Sequence, residues 1–339
     1  MSRSSVILHV LEGPWYGAEE NAFRAIADAL PSFSHVVCLT DGLKSSRFAL
    51  RTVDDKYVET AFTRLQERCD SVVRFCDDLA ANGDLDPYAV VSYNVPGDLA
   101  CAKAGVPRDR CIVWNFDTCG DPDFTACLDG AKKLYPCIGV TRLGRIRRKP
   151  GKRPFTIGFL VDHLVPDFSL DPDAVLRSFR SISDVCKSRT FPDGICILMP
   201  KLELLRDERW LAVDDEMARM QSERGFRMYR FTTDYGWDCE ATPCCDCSVV
   251  FGSARYPYPA MTSAAVHVPV VAVGGCMHLE HGVSCIDVAP DETGKAVSWI
   301  ASNPDKSSRL VERAFREAFL HGAGFNAPKM VEAIHAVQR

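Results

Sequence analysis

Short apolar runs alternate with segments of helical period along most of the chain. Val6-Ile7-Leu8-His9-Val10 predicts a strand. A loop holding Gly13 and Gly17 follows it. In Ala18–Leu30 the apolar residues Phe23, Ile26, Ala27 and Leu30 recur at helical spacing. Val36–Leu39 predicts a second strand. Val58, Phe62, Leu65, Val72, Phe75 and Leu79 predict a helix over Tyr57–Leu79. Tyr88–Ser92 and Cys111–Trp114 predict strands, with a short helix over Asp98–Ala104 and Gly105-Val106-Pro107 as its stop. Cys137–Val140 predicts the last strand of this half.

Arg142–Pro154 carries charge, glycine and proline without periodicity, which marks a domain boundary. A second alternation follows. Phe155–Leu160 predicts a strand, and Pro172–Lys187 a helix with Asp171 as its cap and Pro172 at its first position. Ile195–Met199 and Phe226–Phe231 predict strands around a helix over Arg209–Arg224. Val249–Phe251, the small-residue segment Ala260–Val266, Val268–Val273 and Gly274-Gly275 then read as strand, helix, strand and turn. Helices are expected over Asp291–Ser302, Lys306–His321 and Ala327–Val337.

Two such alternations predict an α/β protein with two Rossmann-like, doubly wound parallel sheets facing each other. The expected domains are 1–145 and 154–325, followed by a C-terminal helix within 326–339. Ligands of such sheets sit beyond the carboxyl ends of the strands. A nucleotide site is therefore expected between Gly252-Ser253 and Gly274-Gly275.

Composition narrows the class. The 339 residues suit two domains, and 47% hydrophobic with 25% charged residues is ordinary for a globular protein. The net charge of −5 gives no global argument for nucleic acid or an anionic membrane. No apolar run approaches the ~18 residues of a membrane span. The stretch MSRSSVILHVLEG leads directly into a strand, so a cytoplasmic protein is expected. The 16 cysteines are scattered through predicted elements (Cys38, Cys101, Cys111, Cys137, Cys196), as buried thiols in a reducing compartment would be.

Five segments, taken in order, carry a resemblance. Tyr16-Gly17-Ala18-Glu19 precedes an amphipathic helix. Val90–Thr118 reads strand, helix, Gly-Val-Pro, strand. Pro269-Val270-Val271-Ala272 is followed by Glu280-His281-Gly282-Val283. Val288-Ala289-Pro290-Asp291 precedes a helix ending at Asn303-Pro304-Asp305. Together they resemble the retaining GT-B glycosyltransferases of the group-1 type. The resemblance implies a nucleotide-diphosphate-sugar donor of the UDP-glucose kind, bound mainly by the C-terminal half. It also implies an acceptor against the N-terminal half, no metal ion or other cofactor, and a last helix packing back on the N-terminal domain. The resemblance is a divergent one, which implies a donor held differently or a divergent or inactive relative: Arg255 and Thr262 stand where the family carries paired glutamates. Asp162, His163 and Phe168 stand at the family's cationic cluster, and Phe116-Asp117 at its His-Asp pair.

These positions define the candidates. Gly274 and Gly275 can offer backbone N–H groups to a diphosphate, or form a plain turn. Ser253 and Arg255 sit at a strand end, where Arg255 can bind phosphate bidentately or stay solvated. Thr262 near a helix start can cap it or bond a ribose hydroxyl. Tyr256 and Tyr258 can stack on a base or simply pack. Gly17 and Glu19 face the expected cleft, although Glu19 also suits the helix dipole. His163 can bond phosphate as imidazolium or serve structurally. Glu280 stands where the resembling family has an acid near the donor sugar, or is a plain surface carboxylate of the loop. Asp117 can take the acceptor proton and Asn94 can position the acceptor, with turn capping as the other role of both.

Two further features bear on partners. Arg142, Arg145, Arg147, Arg148, Lys149, Lys152 and Arg153 form a basic run. It is a solvated hinge or a polyanion contact. The second reading suits a DNA-modifying glycosyltransferase acting on a 5-hydroxymethylated pyrimidine that it exposes by base flipping. The acceptor is thus a glycan, a small molecule or DNA, and a non-catalytic sugar-nucleotide-binding relative is the third alternative. Cys239, Cys244, Cys245 and Cys247 form one dense group without the separated second pair that zinc sites favour.

Overall fold

The computed structural model describes residues 6–11, 23, 25–39, 73–76, 86–93, 97–114, 132–134, 153–160, 171–200, 208–231, 242–251, 258–276, 278–320 and 323–337. The chain divides into two compact units, Met1–Gly139 with His321–Arg339, and Val140–Leu320.

The first unit is built on a six-stranded sheet: β1 (Val6–Leu11), β2 (Ser34–Leu39), β3 (Val73–Cys76), β4 (Ala89–Tyr93), β5 (Cys111–Trp114) and β6 (Lys132–Leu134). The order is β3-β2-β1-β4-β5-β6, and every pairing is parallel. All five residues of β4 are buried, as a strand covered on both faces requires. Helix α1 (Gly97–Ala104) lays Ala100 and Cys101 against Leu8, Val10, Val36, Val90 and Val113. It ends at Gly105, whose φ of +64° favours glycine.

The second unit repeats the plan. Its strands are β7 (Phe155–Leu160), β8 (Ile195–Pro200), β9 (Arg227–Phe231), β10 (Cys247–Phe251), β11 (Val270–Val273) and β12 (Ile286–Val288), in the order β12-β11-β10-β7-β8-β9, again parallel. Counted within its own unit, each sheet has the order 3-2-1-4-5-6. The topological switch therefore falls between β1 and β4, and between β7 and β10. The helices are α2 (Pro172–Val185), α3 (Glu208–Arg224), α4 (Tyr258–Ala265), α5 (Thr293–Ser302) and α6 (Pro304–Leu320).

Asp171 caps α2 by accepting the Asp173 N–H at 3.0 Å, and Pro172 opens the helix. The buried stripe Val175, Phe179, Ile182 of α2 packs on the sheet, where Phe159 meets Phe179 and Phe251 edge-on with ring centroids 5.7 and 4.9 Å apart. On its other side α2 touches α5 at backbone distance. A Cβ on Gly294 would lie 2.1 Å from the Ser181 carbonyl oxygen. Instead Gly294 donates its N–H to Ser181 Oγ at 2.9 Å, and that hydroxyl donates to the Asp291 carbonyl at 2.8 Å.

The chain ends in the first unit as α7 (Ala323–Ala336). Met330 and Ile334 of α7 are buried, and the His335 ring lies 6.4 Å from both Phe33 and Tyr88. A buried polar chain links β2, β1 and β4 of this sheet. His35 Nε2 meets the Leu30 carbonyl at 3.2 Å, His9 Nε2 meets His35 Nδ1 at 2.9 Å, and Tyr93 Oη meets His9 Nδ1 at 2.8 Å. A carbonyl only accepts, so His35 carries its proton on Nε2, His9 likewise, and Tyr93 donates its hydroxyl proton. Burial, and then the neighbouring His35, holds His9 well below the ordinary histidine range; burial also lowers His35.

Three strands depart from the sequence expectation. Val73–Cys76 is a strand inside the helix expected over Tyr57–Leu79: Val-Arg-Phe-Cys is too short to fix a period, and pairing with β2 decides it. Lys132–Leu134 is an edge strand whose sequence, Lys-Lys-Leu, has no apolar pattern. Ile286–Val288 has a charged central residue. The strand expected at Cys137–Val140 lies outside the described residues. Cys38, Cys101, Cys111 and Cys196 are buried and carry no disulfide. Among the described residues no helix is long and apolar enough to cross a membrane.

Two measurements check this packing. Gly294→Ala should lower stability by about 2 kcal/mol or more in urea unfolding, because the added methyl overlaps backbone. Stability should also fall on acidification. The folded-state values of His9 and His35 lie below the unfolded value of about 6.5, so the unfolded chain takes up protons that the folded chain refuses. Their contribution is whole above that pH and is lost below it, by up to about 1.4 kcal/mol per pH unit for each histidine. The slope between pH 6.5 and 5 should be shallower in His35→Gln.

Candidate functional site

Strands in a two-sided parallel sheet deliver their variable loops at the carboxyl edge. In the second unit the described part of that edge is the loop from β11 to β12. Val273 is buried, and Gly274 and Gly275 then take φ of +84° and +90°. Among the described residues a Cβ on either would meet nothing within 4 Å, so the conformation calls for glycine. Gly274 is exposed and Gly275 half-buried.

The rest of the loop is closely tied. Glu280 donates its N–H to Ser284 Oγ at 2.8 Å. Its carbonyl accepts from Val283, Ser284 and Cys285 at 3.1, 2.9 and 3.2 Å. Gly282, at φ +72°, donates to the Cys285 carbonyl at 2.8 Å. Asp287 of β12 donates its N–H to His281 Nδ1 at 3.0 Å and accepts the Gly275 N–H on Oδ1, also at 3.0 Å. Glu280 thus presents an exposed carboxylate from a backbone fixed on every side. Burial pushes the Cys276 thiol up to about 12, with Cys285 and Asp287 adding to it. Burial and then Asp287 push Cys285 to about 11. Both thiols stay protonated near neutral pH and are poor nucleophiles.

Of the expected site residues, Gly274, Gly275 and Glu280 come together in this one loop. Thr262 does not join them on its surface. It is fully buried at the fifth position of α4, too far along to cap the helix, and among the described residues its Oγ1 has no hydrogen-bond partner. Capping is therefore excluded. Ser253, Arg255, Tyr256 and His163 lie outside the described residues, as do Gly17, Glu19, Asn94 and Asp117. Of the basic run only Arg153 is described. It pairs with Asp246 at 2.6 Å and donates to Thr156 Oγ1 at 3.1 Å, while the second Asp246 oxygen accepts the Thr156 N–H at 2.8 Å. Arg153 is thus an exposed clamp on the start of β7. The switch point lies between β7 and β10, one strand removed from the gap expected between β10 and β11.

Sequence reasoning missed Asp287 and His278. Asp287 interrupts an apolar triplet, the one available signal. His278 takes a φ of +67° three residues beyond Gly275, and no sequence pattern announces that. Among the described residues no three His, Cys, Asp or Glu side chains gather as a metal site would require.

Two parallel α/β units of this order define the fold of the GT-B class of glycosyltransferases. Solved structures bear this out over nearly the whole chain. The chain is similar to HepE of Anabaena, solved with UDP and glucose: TM-score 0.67, 13% identity, 98% of this chain and 99% of that one. A glycosyltransferase from Rickettsia africae matches at TM-score 0.59 and 10% identity over 99% of each chain. A UDP-forming α,α-trehalose-phosphate synthase from Burkholderia vietnamiensis matches at 0.60 and 10%, over 98% of this chain and 97% of its own. At these identities the likeness is one of fold. No protein-family model matches the chain, and no curated protein sequence does.

Gly275→Ala tests the turn. The left-handed conformation should cost about 1–2 kcal/mol of stability, read as a lower urea midpoint.

Proposed function

We propose that the chain is a glycosyltransferase moving a sugar from a nucleotide-diphosphate-sugar donor to an acceptor hydroxyl. The observation that carries this reading is the full-length likeness to HepE, a protein crystallised with UDP and glucose. The donor is a UDP-sugar, its diphosphate meeting the Gly274–Gly275 turn with Arg255 as the cation and its sugar near Glu280. Developing negative charge on the leaving diphosphate is stabilised there by oriented amides and guanidinium. Asp117 and Asn94 are the acceptor-side candidates. Transfer proceeds with retention and without metal, in the cytoplasm.

A thermal-shift screen against UDP, GDP, ADP, CDP and TDP tests the donor. A ligand at a hundred times its dissociation constant stabilises by about 2.7 kcal/mol, a shift of several degrees. UDP should give that shift and Arg255→Ala should lose it. Stabilisation by UDP-sugar without release of UDP over hours would instead establish a binding protein that does not turn over. No shift with any nucleotide would defeat the donor site.

A further inference from the structure

The Gly275 amide already has an anionic partner. Its N–H points at Asp287 Oδ1 across 3.0 Å, on a turn whose Gly274 is exposed. The carboxylate is held there from below. Asp287 is the central residue of β12, opposite Ala272 of β11, and its own N–H is tied to His281 Nδ1 at 3.0 Å. A phosphate oxygen and a carboxylate oxygen make the same demand on an amide, one charge-assisted hydrogen bond of nearly this length.

We propose that Asp287 is a specificity-determining residue of the donor site, its carboxylate competing with the donor diphosphate for the Gly275 amide. The proposal rests on the reading of this turn as the place of the diphosphate. The Gly275 N–H changes partner when the donor binds, from carboxylate to phosphate. Two anions then stand at one turn, and Asp287 opposes the more highly charged ligand most. Its negative field already reaches the surroundings of the turn, since it helps raise both Cys276 and Cys285. A ligand without phosphate meets no such opposition. Asp287 therefore sets the turn's preference among ligands by their charge.

Calorimetric titration of the full chain with UDP and with uridine tests this, using wild type, Asp287→Asn and Asp287→Ala. Asn keeps an oxygen for the Gly275 N–H and removes the charge, so the turn is preserved even if the Ala variant does not fold. UDP should bind Asp287→Asn about fivefold tighter or more, the gain shrinking in high salt. Uridine should bind both proteins alike. Unchanged or weaker UDP binding by Asp287→Asn, with wild type binding UDP, overturns the proposal. Weakening of UDP and uridine together marks Asp287 as a structural prop only, which also overturns it. If none of the proteins binds UDP, the donor-site reading itself fails.

Discussion

Parallel pairing is the constraint on which both units depend. Every strand pairing described runs in one direction, so each connection must return across a face of the sheet and both faces become covered. Strand interiors must then be apolar, as in Val249–Phe251 and Val270–Val273. Polar chemistry is driven to the carboxyl edge, the one place where loops vary without exposing the core.

The two polar features inside this frame obey that rule differently. The His9–His35–Tyr93 chain sits within the sheet and survives because each donor finds an acceptor, ending on the Leu30 carbonyl. Its neutral histidines are a cost of ordering three neighbouring strands with hydrogen bonds. The Asp287–Gly275 bond lies at the edge, beside the exposed Gly274. One arrangement is closed to ligands by burial. The other is a half-buried amide already paired with a carboxylate.

The sequence made legible what periodicity controls. Phe155–Leu160 and Cys111–Trp114 fall where their apolar runs end, and Asp171-Pro172 opens its helix as cap chemistry demands. What escaped has physical causes. Val73–Cys76 is too short for its period to be read, and β6 is an edge that keeps its lysines. Of the candidate site only the turn was legible. Gly274 and Gly275 declare a left-handed turn, but nothing in one dimension says that a carboxylate twelve residues later takes the second amide. Thr262 does not cap because α4 begins at Tyr258, and a helix boundary is the least readable feature of a pattern.

The same physics explains how a fold persists at 13% identity while family sequence patterns disappear. Sheet order and core need only apolar residues of suitable volume at the right period, and many sequences meet that demand. A donor site needs particular groups in particular places. At Thr262, where the resembling family carries a glutamate, this chain has a hydroxyl buried in the core. At Gly275, where an amide would meet phosphate, it has an internal carboxylate. Neither change disturbs strand pairing, so neither is visible to a comparison of folds. Each alters the local charge. The polar chemistry of this chain therefore has to be read from its own residues, as at Asp287, whose carboxylate takes the Gly275 amide within the chain.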